Sequence, residues 1–113
     1  MSQERATATA PPTRALSGAQ RRKLRALAHG LKPVTELGRH GLSEAFVAEL
    51  DRALESHELV KVRLRADREE RAALLPELAR RLSCEAVGMV GQIAILYRAA
   101  AEPERRRVLR GDD

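Results

Sequence analysis

The chain contains few of the residue types that secreted and membrane proteins depend on. Among its 113 residues there is one cysteine, and no run of apolar residues approaches the length of about 18 that a transmembrane helix needs. The single Cys84 excludes an internal disulfide and is typical of a reducing compartment. No apolar signal core stands near the first residues. We therefore expect a cytoplasmic protein without a membrane contact.

Aromatic side chains are also scarce, because the chain has one phenylalanine, one tyrosine and no tryptophan. Proteins that read single-stranded nucleic acid by sequence usually stack bases on aromatic side chains. If the partner is a nucleic acid, this composition predicts contacts with its backbone and shape and only slight sequence preference.

The sequence lacks the usual signatures of catalysis. No Lys-Ser or Lys-Thr pair follows the glycines as in a nucleotide-binding loop, and no third glycine completes a dinucleotide motif. His29 and His40 have no carboxylate or cysteine partner at metal spacing, and Cys84 has no adjacent base. We therefore expect no catalytic residue, no metal and no cofactor.

Charge is abundant and unevenly distributed. The net charge is +5; residues 14–35 carry six Lys or Arg and no acid, whereas residues 44–58 carry five acids and one arginine. Basic clustering of this kind is the usual footprint of a polyanionic partner. A solvated helix face is the alternative interpretation of the same residues.

Hydrophobic periodicity predicts three helices and four strands in the order α-β-α-β-α-β-β. This order predicts an α/β fold: one compact domain over residues 16–98, with helices packed on a mixed four-stranded sheet. Residues 1–15 and 99–113 contain few large apolar side chains and are interpreted as disordered tails. Pro76 falls within the third predicted helix, whose start and possible kink the sequence does not fix.

The first helix has two distinct faces. Its predicted apolar face consists of Leu24, Leu27, Ala28 and Leu31, after a capping-box pattern at Ser17 and Gln20. On the side away from that face the spacing predicts a basic surface made by Arg22, Arg25 and His29, with Arg21 beside it. A later strand, residues 59–66, alternates Val60, Val62 and Leu64 with Lys61, Arg63 and Arg65, which predicts a strand with a basic outer face.

A glycine-bracketed loop lies in the stretch VTELGRHGLSEAF, residues 34–46. Gly38 and Gly41 enclose Arg39 and His40 between a predicted strand and a helix that begins after Ser43. Glycines allow backbone amides to approach a ligand, and Arg39 offers a forked cation that suits phosphate. Loops of the G-x-x-G type clamp a nucleic-acid backbone in K-homology domains, although a plain turn explains the same four residues.

These segments together closely resemble the CRS1-YhbY family, also called the CRM domain, and in particular its small stand-alone bacterial members. The resemblance rests on residues 16–64 and on GMVGQIAILYR, and it covers residues 16–98 in order. It implies a fold like the C-terminal domain of bacterial translation initiation factor three, and RNA binding in precursors of the large ribosomal subunit. Arg39 stands where a lysine is common in the family, and Ala99 where a proline is common.

The resemblance also implies which residues contact RNA. They are the loop residues Gly38, Arg39, His40 and Gly41 and the basic first-helix residues Arg21, Arg22, Lys23 and Arg25, to which Lys32 is added as a phosphate contact from its charge. The expected function is a non-catalytic, monomeric RNA-binding protein of ribosome assembly. An enzyme acting on RNA, such as a nuclease, and a general nucleic-acid-binding protein, including one for DNA, are the alternatives.

Overall fold

A computed structural model describes residues 16–38 and 41–109, and its elements follow the predicted order. Three helices, four strands and one 3₁₀ turn make up this part of the chain: α1 Gly18–Ala28, β1 Pro33–Leu37, α2 Glu44–His57, β2 Leu59–Leu64, α3 Arg68–Leu82, β3 Glu85–Val90, β4 Ile93–Tyr97 and the turn Pro103–Arg105. None of the helices in the described ranges has the length and hydrophobicity needed to cross a lipid bilayer.

Side-chain caps define where the helices begin. Ser17 and Gln20 form the predicted capping box at the start of α1, and the Ser43 hydroxyl accepts from the Phe46 amide at the start of α2. Asp67 and Glu70 form a second capping box, which fixes the start of α3 at Arg68. Pro76 therefore lies in the interior of α3, where its ring nitrogen cannot donate the hydrogen bond of an ordinary helical residue.

The four strands form one mixed sheet in the order β1-β2-β4-β3. Strand β1 runs parallel to β2, whereas β4 runs antiparallel to both β2 and β3. The turn between β3 and β4 is made by Gly91 and Gln92, and Gly91 has a φ of 59°. A bulge between Ala86 and Gly88 interrupts the register of the edge strand β3.

The sheet is covered by helices on both faces. Helices α2 and α3 bury Leu50, Leu54 and Leu78 against one face, which includes Val60 and Val62 of β2. Helix α1 packs on the other face and buries Leu24 and Ala28 against a smaller cluster, to which Leu59, Val87, Ile95, Tyr97 and Leu109 belong. Because side chains alternate along a strand, Lys61 and Arg63 lie on the α1 face of β2.

The predicted apolar face of α1 is only partly buried. Leu24 and Ala28 are buried as expected, but 46% of Leu27 and 38% of Leu31 remain exposed. The prediction that all four residues pack in the core was therefore wrong for these two. Helical spacing groups residues by angle, and it does not reveal that α1 contacts the sheet along a narrow stripe.

The expected disorder after residue 98 is also wrong for residues 99–109. Ala99, Val108 and Leu109 pack on the α1 cluster, and Leu109 is buried. The segment is held by Glu58, which is only 2% exposed. Its Oε2 accepts from the Ala100 amide at 2.8 Å, and its Oε1 accepts from the amides of Arg107 and Val108 at 2.9 and 3.0 Å. A single buried carboxylate thus compensates for the low apolar content of the segment.

Glu58→Ala should destabilise the protein, because three backbone amides lose their acceptor and the segment loses its anchor. We expect the free energy of unfolding to fall by at least about 2 kcal/mol. Urea denaturation followed by circular dichroism measures this change. Glu69→Ala, an exposed position in the first turn of α3, serves as the control. Equal unfolding midpoints for the two variants would show that the segment is not held by Glu58.

Candidate nucleic-acid interface

The glycine loop connects the end of β1 to the start of α2. Gly41 has a φ of 69°, a conformation that favours glycine, and its amide donates to the Gly38 carbonyl at 3.2 Å. The Ser43 amide in turn donates to the Gly41 carbonyl at 2.9 Å. These two amides are used inside the turn, so they are not available to a ligand.

Gly38 plays a different part from Gly41. A Cβ added to Gly38 meets no heavy atom within 4 Å, and its φ lies outside the left-handed region. Neither the backbone conformation nor the packing of the described residues therefore requires glycine at this position. Arg39 and His40, the two predicted contacts between the glycines, lie outside the described residues.

Two of the predicted contacts on α1 bind the protein's own edge strand. Arg21 donates to the Glu85 carboxylate at 3.0 Å and to the Ala86 carbonyl at 3.4 Å, and Arg25 donates to the Val87 carbonyl at 3.1 Å. Ala86 and Val87 are at the bulge in β3, where regular pairing is interrupted. The two guanidinium groups thus fix α1 on the sheet.

Gly88 makes room for this contact. A Cβ at Gly88 would come within 2.9 Å of Arg25 Cδ, so the Arg25 side chain lies directly over the strand. A larger residue would force the middle of that side chain away from the sheet and disturb its bond to Val87. Gly88 therefore helps α1 to pack closely on β3.

The two flanks of α1 have different surroundings. At about 100° per residue, Arg22, Arg25 and His29 fall on one side of the buried stripe, and Lys23 and Leu27 on the other. The Lys23 side lies beside Leu59, where β2 begins. The Arg22 side is the flank from which Arg25 reaches the edge strand β3. Arg22 itself is exposed, without a hydrogen-bond or ion-pair partner in the described part of the chain.

Three basic side chains on β2 and just after it connect α1 to the loop, and we call Lys61, Arg63 and Arg65 the basic strip. Lys61 Nζ donates to the Ala28 carbonyl at 3.0 Å, which places one end of the strip at α1. The Arg65 amide donates to the Leu37 carbonyl at 3.3 Å, and Arg65 lines a cavity together with Gly38 and Gly41. Alternate residues of a strand are about 6.6 Å apart, so the strip extends about 13 Å.

Sequence reasoning noted this alternation but did not assign the strip to the site. Arg63 and Arg65 both pair with Glu36 of β1, at 3.8 and 2.9 Å, and they remain 39% and 60% exposed. Pairs this exposed contribute little to stability. The signal that could have identified the strip is the combination of a basic outer face with a parallel neighbour that leads into the loop.

Lys23 and Lys32 do not join the other predicted contacts. Both line a groove on the opposite flank of α1, together with His57 and Arg107. The seven predicted residues that the structure describes are thus divided. Gly38 and Gly41 lie at the loop, Arg21 and Arg25 bond to β3, Arg22 is exposed on the same flank as Arg25, and Lys23 and Lys32 line the groove.

The described residues offer little for catalysis. They contain no group of three or more His, Cys, Asp or Glu side chains placed to hold a metal. Cys84 is buried, and this burial raises the pKa of its thiol to about 12. Such a thiol stays protonated and unreactive near neutral pH.

Arg25 and Arg22 should respond differently to substitution. Arg25→Ala removes the bond to Val87, and we expect the free energy of unfolding to fall by about 1 kcal/mol. Arg22→Ala removes an exposed side chain and should change stability by less than about 0.5 kcal/mol. Urea denaturation of the two variants measures both values. If Arg22→Ala proved the more destabilising, the contact between Arg25 and β3 would not be what holds α1 on the sheet.

Comparison with known proteins places this geometry in a family. The CRS1 / YhbY (CRM) domain model matches residues 16–98. A Pseudomonas aeruginosa protein named probable RNA-binding protein is 40% identical over 92 residues, covering 80% of this chain and 88% of the relative. A Haemophilus influenzae protein named RNA-binding protein is 41% identical over 88 residues, covering 77% and 89%.

A solved structure shares the fold. The solution structure of a hypothetical Staphylococcus aureus protein, described as an RNA-binding candidate, superposes with a TM-score of 0.71 at 29% identity. The match covers 84% of this chain and all of that one. The family resemblance and the α/β fold expected from the sequence are both confirmed, and the chain belongs to the CRS1/YhbY (CRM) domain family.

Proposed function

We propose that this protein binds RNA without catalysing a reaction, through a surface made of the glycine loop, the Arg22 flank of α1 and the basic strip. The observation that carries this proposal is the position of the strip. It joins α1, where Lys61 contacts Ala28, to the loop, where Arg65 lines the same cavity as Gly38 and Gly41. Relatives named as RNA-binding proteins support RNA as the partner.

The surface suits a phosphate backbone. Arg22 and the exposed parts of Arg63 and Arg65 provide cations, and the loop adds Arg39 and His40 by sequence. Gly38 leaves space for close approach of a backbone because none of the described residues fills the volume of its missing Cβ. The single Phe46 and Tyr97 are both buried, so neither offers a stacking platform. Binding should therefore follow charge and shape and depend little on base sequence.

Shape recognition of this kind favours a large, structured RNA. About four phosphate contacts give only modest affinity at physiological salt. A folded RNA that meets the loop and the α1 flank together provides the additional specificity. Precursor large-subunit ribosomal RNA, the partner that the family resemblance implies, fits this requirement. We therefore propose a role in assembly of the large ribosomal subunit, with the protein acting as a monomer in the cytoplasm.

Variants of the surface test RNA binding directly. Arg22→Glu and Arg39→Glu should each weaken binding of a structured RNA by at least about tenfold, since each replaces a cation with a repulsive charge. Gly38→Val should weaken binding while leaving the fold intact, because a Cβ there meets no neighbour. Fluorescence anisotropy titrations measure the affinities.

The matched control is Arg52→Glu on α2, which makes the same charge change on the acidic helix. It should change affinity by less than about threefold, an effect of overall charge alone. If Arg52→Glu weakened binding as much as Arg22→Glu, the interface would lie elsewhere. If RNA were cleaved during the titration, with or without divalent metal, the non-catalytic assignment would fail.

Co-sedimentation tests the cellular role. We expect the protein to migrate with immature large subunits at low salt and to leave them as salt rises. For purified single-stranded RNA the log–log salt slope should be about −3 for four contacts. Arg39→Glu should not co-sediment, whereas Arg52→Glu should. Migration only with free protein or with mature ribosomes would contradict the assembly role while leaving RNA binding itself intact.

A further inference from the structure

A second surface lies on the opposite flank of α1. It is a groove of about 500 Å³ at the beginning of β1 and β2, between α1 and the segment after β4. Its floor consists of aliphatic side chains from all of these elements: Leu27, Leu31, Val34, Leu59, Val60 and Val108. The volume falls in the range typical of sites that bind a ligand or a few side chains of a partner.

The floor of this groove concentrates the exposed apolar surface of the described residues. Their large exposed apolar side chains are Leu27, Leu31, Val34 and Val90, and the first three line the groove. Singly scattered apolar residues need no explanation, but a contiguous set in a concave site marks an interaction surface. We therefore interpret the groove as an interaction surface and not as a by-product of the small core.

The rim of the groove is basic. Lys23, Lys32 and Arg107 stand around the apolar floor, with His57 beside them, and no acid lines the groove among the described residues. Arg107 is held in place, since its Nη2 donates to the Ser56 carbonyl at 2.7 Å. An occupant must therefore combine apolar groups with negative charge.

We propose that this groove binds an acidic amphipathic helix of a partner protein. Aliphatic side chains of such a helix, spaced at i, i+3 and i+4, fill the floor, and carboxylates next to them pair with Lys23, Lys32 and Arg107. Lys32, which lies away from the loop, thereby has a role in binding.

RNA fits the groove less well than a protein segment does. Unpaired bases stack on aromatic rings or arginine planes and hydrogen-bond through their edges. The described lining contains no aromatic ring other than His57, and the guanidinium of Arg107, its one arginine, is bonded to the Ser56 carbonyl. A hydrated phosphate backbone would also gain nothing from contact with the aliphatic side chains of the floor.

The groove and the RNA surface are separate. The groove lies at Leu59, where β2 begins, and the glycine loop lies beyond Leu64, where β2 ends. The strand spans about 17 Å between these residues. RNA and a protein partner could therefore bind at the same time, and the groove proposal holds whether or not the RNA proposal does.

A designed peptide tests the groove. The probe is a fluorescein-labelled helix of about 20 residues, with leucines at i, i+3, i+4 and i+7 and glutamates between them. Its control is a peptide of the same composition in scrambled order, which keeps the charge and loses the apolar stripe. With the full chain we expect saturable binding of the ordered peptide and at least about tenfold weaker binding of the scrambled one.

Variants locate the binding site. Leu27→Gln/Leu31→Gln should weaken peptide binding at least about tenfold, and Lys32→Glu should weaken it while Lys32→Arg preserves it. The matched control is Val90→Gln, which changes an even more exposed apolar residue outside the groove. Arg22→Glu should change peptide binding by less than about threefold, an effect of overall charge alone. Thermal unfolding of each variant verifies that it is folded.

Several outcomes would overturn the proposal. Equal binding of ordered and scrambled peptides would mean attraction by charge alone, and no binding would mean that the groove does not accept such a helix. Loss of RNA binding in Leu27→Gln/Leu31→Gln with no effect on the peptide would assign the groove to RNA. Concentration-dependent dimerisation that these substitutions abolish, with no peptide binding, would assign it to a second copy of the chain.

Discussion

The packing on the α1 face of the sheet depends on the carboxylate of Glu58. Glu58 ends α2 with a φ of 66°, and its backbone carbonyl accepts from the Arg98 amide at 2.8 Å as the chain leaves β4. Its side chain then captures three amides of the following segment. A buried acceptor with several donors is costly to disturb, because each lost bond leaves a desolvated group.

The contacts of Glu58 also affect the packing of α1 and the shape of the groove. The held segment brings Val108 and Leu109 against the cluster that seats α1, and it brings Arg107 and Val108 to the groove. The other side of α1 is fixed independently by Arg21 and Arg25 on the bulge of β3. Helix α1 is thus held from both edges of its contact, and one flank faces β3 while the other lines the groove. Two surfaces of different chemistry follow from one short helix.

Local patterns predicted the elements well, because caps and periodicity are local properties. Ser17, Ser43 and the Gly91-Gln92 turn mark boundaries that the structure retains. Contacts between distant residues were not predictable in the same way. The order of residues 99–109 depends on Glu58, which is about fifty residues distant in sequence, and the exposure of Leu27 depends on how narrowly α1 meets the sheet. The loop contacts Arg39 and His40 remain predictions.

Burial separates the cations that build the fold from those available to a partner. Arg98 is 14% exposed and bonds to Asp51 and to the Leu82 carbonyl, so its guanidinium is largely shielded from a partner. Arg65 is 60% exposed and pairs with a half-exposed Glu36, a contact worth at most about 1 kcal/mol. A phosphate can therefore reach Arg65 and replace Glu36 at little cost, whereas Arg98 is too shielded to be reached in the same way. Sequence presents both arginines as equal charges, and only their surroundings give them different roles.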